Sequence, residues 1–215
     1  MATHLQKQIE KIKKEILSLG AMVEDRFQKA IYAIKVEDLE LAQKIIDTDF
    51  QIDEREIEVE EECLKILALY QPVAMDLRFL VAVVKINNDL ERIADYAANI
   101  AQRFKTSSQN KAKFKYDYTA MADQAAKMLR MSLDALVHLN VDMAYEVRDM
   151  DKDVNLMRNE AYDSMKRDIR NQPEMVGDII NMYLISRHLE RIGDHTTNIS
   201  EEVIYLIEGE IIRHS

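Results

Sequence analysis

Two stretches of this chain, LERIADYAANI over residues 90–100 and LERIGDHTTNI over 189–199, carry the same acids at the same spacing. Glu91 and Asp95 stand four residues apart in the first, as do Glu190 and Asp194 in the second. On a helix that spacing leaves two side chains about 40° apart around the axis and roughly 6 Å apart along it. The pair can share one ion, and without one it repels by a few tenths of a kcal/mol. Asp49 and Asp53 repeat the spacing in IIDTDFQIDE, and the matching positions in VRDMDKDVN are Asp151 and Asn155. Two such helices side by side would gather four carboxylates in the first half and three in the second. An all-oxygen donor set suits Mg²⁺, Ca²⁺, Mn²⁺ or iron, whereas thiolates or several histidines would suit zinc better.

A plainer reading is that Arg92, Arg191 or nearby lysines neutralise these acids, or that they form a solvated face. Their recurrence in both stretches weighs against it, because drift after duplication scatters residues that need only be wet. His188 and His195 lie close enough in sequence to supplement the Asn155 position, but read first as packing or surface histidines. The run DEREIEVEEE, residues 53–62, holds seven acids and one arginine and would draw cations toward Asp49 and Asp53.

Positioning these acids takes helices. Ile9, Ile12, Ile16, Leu19 and Val23 alternate by three and four, the seam of a helix packed along its length. Tyr118, Met121, Ala125, Met128, Ser132, Ala135 and Leu139 do the same after the polar stretch KTSSQNKAK at 105–113. The quoted stretches sit in longer seams, Val83, Ile86, Leu90, Ile93, Ala97, Ile100 and Phe104 in one and Met182, Ile185, Leu189, Ile192, Thr196, Ile199 and Val203 in the other, offset throughout by 99. With Leu90 and Ile93 facing the core, Glu91 and Asp95 are expected on the outer side. An acidic middle helix is expected over 38–70 and again over 141–171, offset by 102, and Pro72 and Pro173 mark the same corner before each third helix. The expectation is an all-α protein of tandem duplicated three-helix bundles, six long helices in all, divided into 1–108 and 109–215.

Composition agrees with helices: 47% hydrophobic, 32% charged, 4 Gly and 2 Pro. A net charge of −10 speaks against nucleic acid, which needs a basic stripe. Cys63 is the sole cysteine, so no internal disulfide is available. No apolar run reaches the ~18 residues of a membrane span, and MATHLQKQIEKIKKEI lacks the apolar centre of a signal peptide, so a cytoplasmic protein is expected. The twelve methionines read as adaptable core filling. Apolar side chains beyond the strict seam point to self-association as a homodimer.

Over essentially its full length the chain resembles the PhoU family of phosphate-transport regulators. QPVAMDLRFLVAVVKINNDLERIADYAANIA and its echo QPEMVGDIINMYLISRHLERIGDHTTNIS carry the resemblance. It implies two three-helix bundles related by a pseudo-twofold axis. It also implies multinuclear clusters of iron, or of zinc, manganese, magnesium or calcium, at surface Glu/Asp-x-x-x-Asp motifs. Those motifs correspond here to Glu91 with Asp95, Glu190 with Asp194, and Asp49 with Asp53; Asp151 matches the fourth, from which Asn155 departs. The implied role is non-enzymatic: an adaptor between the phosphate-specific ABC transporter, through its ATPase subunit, and a phosphate-sensing membrane histidine kinase, limiting phosphate uptake and holding the starvation response off. Two alternatives are a carboxylate-bridged, ferritin-like metalloenzyme and a metal-free helical scaffold. The ferritin-like class builds its site inside the bundle from Glu-x-x-His, a pattern this chain lacks.

Overall fold

In a computed structural model, which describes residues 2–109 and 116–210, the repeat becomes two matching sets of helices. The first half forms α1 (Ala2–Val36), α2 (Leu39–Asp47), α3 (Phe50–Tyr70) and α4 (Ala74–Gln109). The second forms α5 (Thr119–His138), α6 (Val141–Asn171) and α7 (Val176–Glu208). Pro72 precedes α4 by two residues, and Pro173 opens a single 3₁₀ turn, Pro173–Met175, leading into α7. The polar stretch expected at 105–113 is helical as far as Gln109, and the rest of it lies outside the described residues. The boundary expected at 108/109 falls in that last helical turn.

The corner after each first helix is built the same way twice. Glu37 and Leu139 take left-handed backbone, with φ of 59° and 49°. The following N–H reaches back into the helix, from Asp38 to the Ala33 carbonyl at 2.9 Å and from Asn140 to that of Ala135 at 3.0 Å. The Asp38 side chain then accepts from the Leu41 N–H at 2.8 Å, and Asn140 accepts from that of Met143 at 3.0 Å. Unpaired carbonyls and N–H groups at both helix ends are thus met within the corner itself.

The middle helix differs between the copies. One helix was expected over 38–70, yet the chain breaks at Thr48 and Asp49, whereas α6 runs unbroken through the matching positions. At the break Gln51 and Ile52 bond three residues back rather than four, to the carbonyls of Thr48 and Asp49. At the break α1 supplies the partner: Arg26, only 7% exposed, donates to the carbonyls of Thr48 and Asp49 and to the Asp49 carboxylate. In the second half the equivalent position, 102 residues on, is Met128, which has no donor to offer.

Every seam residue named from the sequence is buried except Leu139, which occupies the left-handed corner. The two halves meet like against like, α4 on α7 and α1 on α5, as a twofold relation requires. Lys85 pairs with Glu202, Asp89 with His195 and Asn198, and Arg103 with Asn181, so α4 and α7 run antiparallel. Their buried apolar residues belong to one cluster that extends through both halves. No described helix is long and apolar enough to cross a membrane.

Leu189 is fully buried on α7, which packs against α4, α5 and α6. Leu189→Ala is expected to cost roughly 3–5 kcal/mol in urea unfolding; a loss under about 1 kcal/mol would be incompatible with this packing.

Candidate metal centre

α3 packs along α4, and the margin between them brings Asp53, Glu91 and Asp95 together. One carboxylate oxygen from each lies within 4.8 Å of the others. Oxygens on opposite sides of a cation bonded at about 2.0–2.6 Å stand roughly 4–5 Å apart, so this spread fits the ligand shell of one hard ion. The nearest cation on the same helix, Arg92, is half exposed and stands 3.6 Å from Glu91 and 3.7 Å from Asp95, a loose surface contact of small energetic weight. Asp49 is not among these three; Arg26 holds its carboxylate, and the charges of Asp95 and Asp53 still act on it.

The local electrostatics follow from packing acids together with little to neutralise them. Burial pushes the Glu91 carboxyl from 4.5 up to about 7, with the charge of Asp95 adding to it and Arg92 opposing. Asp95 is raised by burial and then by Asp53. Asp49 is raised because its burial outweighs the pull of Arg26. A bound cation would reverse each of these shifts, since it favours the ionised form of every ligand.

The second half places its acids differently. Glu190, expected on the outer side of its helix, is only 6% exposed, because α6 covers that side of α7. Arg158 on α6 donates through Nε and Nη2 to Glu190 Oε1 at 3.1 and 2.9 Å, and Arg187 donates to Oε2. Arg191 donates to Asp194 Oδ2 at 2.9 Å. Asn155 turns its amide nitrogen to Asp151 Oδ2 at 2.6 Å, leaving the buried Oδ1 of Asp151 without a partner. Burial, then Asp194 and Glu190, raise Asp151 to about 6.

The histidines serve the crossing of α4 with α7. His195 Nδ1 lies 2.7 Å from Asp89 Oδ1, and the rings of His188 and His195 each pack 5.6 Å from that of Tyr96. Burial holds His188 down at about 4, so it stays neutral at physiological pH. Arg26, Arg158 and Arg187 did not emerge from the sequence reading. Arg158 had a legible signal, because aligning the copies sets it against Glu56, a reversal of charge beside the site.

In chelator-treated protein the folded state holds the Glu91 proton up to about pH 7, while an unfolded chain releases it near 4.5. The folded state therefore binds more protons in that window, and stability falls as pH rises through it. Glu91→Gln is expected to flatten that fall and to raise the melting temperature at pH 8 relative to wild type. A Glu91 carboxyl titrating near 4.5 by ¹³C NMR in the apo protein would contradict this account.

Comparison with known proteins bears on both repeats. The PhoU domain model matches residues 16–104 and again 118–203. A phosphate-specific transport system accessory protein PhoU homolog from Pseudomonas putida is 34% identical over 209 residues, covering 96% of this chain and 82% of that protein. The Clostridium acetobutylicum homolog of the same name is 34% identical over 204 residues, 94% of this chain and 93% of its own. Among solved structures, PhoU from Pseudomonas aeruginosa superposes with a TM-score of 0.91 at 33% identity, over 95% of this chain and 99% of that one. The phosphate transport system regulatory protein PhoU from Streptococcus pneumoniae gives 0.87 at 26% identity, over 97% and 99%. With both repeats matched and the whole fold shared, the chain belongs to the PhoU family.

Proposed function

We propose that this protein is a non-enzymatic regulator of phosphate uptake and a negative regulator of the phosphate-starvation response. The observation that carries the reading is the match of both repeats, at full length, to accessory and regulatory proteins of phosphate-specific transport. In finer terms, it works as an adaptor at the cytoplasmic face of the membrane, joining the ATPase subunit of the phosphate ABC transporter to a phosphate-sensing histidine kinase.

An adaptor needs a surface, and α3 offers one. Phe50, Ile57 and Leu64 recur every seven residues along its outer side and are each about half exposed, at 53%, 54% and 53%. Glu54, Glu58 and Glu61 stand among them. An apolar line between acids suits a basic amphipathic helix of a partner and disfavours a second copy of the same acidic face. The chain also forms a homodimer in this reading, with Leu69 and Val73, 76% and 75% exposed where α3 turns into α4, as apolar surface available for it.

A metal is part of the proposal. Asp53, Glu91 and Asp95 would hold it, with iron first and manganese, zinc, magnesium or calcium as alternatives. There it would neutralise acids that otherwise repel, locking α3 against α4. This margin lies between helices at the edge of the bundle, unlike the interior sites of ferritin-like enzymes.

Protein purified without chelator is expected to contain iron or manganese by elemental analysis, and Glu91→Ala/Asp95→Ala is expected to lose it. Metal-free wild type would favour the scaffold reading. In cells lacking the protein, the wild-type gene is expected to restore repression of a phosphate-starvation reporter at high phosphate. Ile57→Glu/Leu64→Glu, with its helical circular dichroism intact, is expected not to restore it. Full repression by that variant would remove α3 as the contact surface, and no repression by wild type would sink the regulatory reading itself.

A further inference from the structure

The two repeats solve one electrostatic problem in different ways. Around the first site stand Asp49, Asp53, Glu56, Glu91 and Asp95, opposed by Arg26 and Arg92, five carboxylates against two guanidiniums and a formal −3. Around the second stand Asp151, Glu190 and Asp194, opposed by Arg158, Arg187 and Arg191, three against three and a formal zero.

Position by position, the change is directed at the ion. Glu56 of the first half is replaced by Arg158 at an offset of 102, Asn88 by Arg187 at 99, and Asp53 by Asn155 at 102. Both oxygens of Glu190, and one of Asp194, are filled by guanidinium donors. Asn155 faces Asp151 with a donor nitrogen, where a metal ligand would present oxygen. Among the oxygens of these three acids, Oδ1 of Asp151, which is buried, and Oδ1 of Asp194 stay outside those contacts, so an ion would find at most two carboxylate oxygens not already taken by a donor. A multinuclear cluster does not fit these residues as they stand.

We propose that the second repeat carries its own permanent counter-ion, the guanidiniums of Arg158 and Arg187 standing where the first repeat takes a metal, so that the chain binds metal in one half only. A carboxylate as buried as that of Glu190 needs a compensating cation or hydrogen-bond donors, and two arginines, Arg158 on Oε1 and Arg187 on Oε2, supply both without depending on metal supply. The second half thereby keeps α6 clamped to α7 under all conditions, while the α3–α4 clamp of the first half responds to the metal. The one-half stoichiometry rests on the metal reading proposed above; the role of the arginines in closing the second site does not.

The test is Mn²⁺ titration of chelator-stripped protein, with free Mn²⁺ counted by electron paramagnetic resonance. Wild type is expected to bind Mn²⁺, and Asp53→Asn/Glu91→Gln/Asp95→Asn is expected to lose all of that binding. If the triple variant retains Mn²⁺ that Glu190→Gln then removes, the inference is overturned. Adding Arg158→Gln/Arg187→Gln to the triple variant is expected to create Mn²⁺ binding that the triple variant lacks, abolished by Asp194→Asn. No gain in binding would also overturn the inference. Should that combination lose its helical circular dichroism, Arg187→Gln alone, at a partly exposed residue, carries the same test. Wild type that binds no Mn²⁺ sinks the metal reading of the first half, while the arginine variants still decide the inference about the second.

Discussion

The antiparallel seam between α4 and α7 is the contact on which the other placements rest. Leu90, Ile93 and Ala97 on one helix and Leu189, Ile192 and Ile199 on the other have essentially no exposure and lie in the cluster shared by both halves. Removing such side chains from water supplies the main drive for docking the halves, at about 25 cal/mol per Å² of apolar surface. Because α4 and α7 occupy the centre, each must face a neighbouring middle helix on another side. That second face is where the carboxylates stand.

Placing acids at a helix margin creates a conflict between packing and charge. Pressing α3 onto α4, or α6 onto α7, strips water from carboxylates that also repel each other, and both effects raise their pKa values. Proteins resolve such conflicts by protonation, by a guanidinium or by a metal. Arg26 resolves it for Asp49, and the same guanidinium, by taking the carbonyls of Thr48 and Asp49, accompanies the break in the first middle helix. Among the described residues no arginine lies equally close to Asp53, Glu91 and Asp95, which leaves their margin open to an ion.

Duplication followed by divergence thus kept the backbone of the corners and changed the counter-charge. Both corners retain the left-handed residue and the capping side chain, since altering either would unpair backbone groups at a helix start. Side chains around the acids were free to change as long as the charge was met somehow. An adaptor with one ion-dependent margin and one fixed margin would couple metal supply to the shape of a single half, and α3, which carries the exposed Phe50, Ile57 and Leu64, belongs to that half.

The sequence alone determined the helices other than the break at Thr48 and Asp49, their seams and the repeat, because these follow from spacing along one chain: three-and-four periodicity marks a buried stripe, and a corner is built from neighbouring residues. It also singled out the recurring acids, whose four-residue spacing is a property of one helix. Which acids share a site, and with what, was decided only in three dimensions. Arg26 reaches Asp49 from another helix, and Arg158 reaches Glu190 from 32 positions away. The same holds for the burial of Glu190: an outward position on a lone helix became an inward one when α6 was laid across it. Periodicity reports which side of a helix is apolar, whereas the exposure and charge of a side chain depend on every neighbour the fold brings to it.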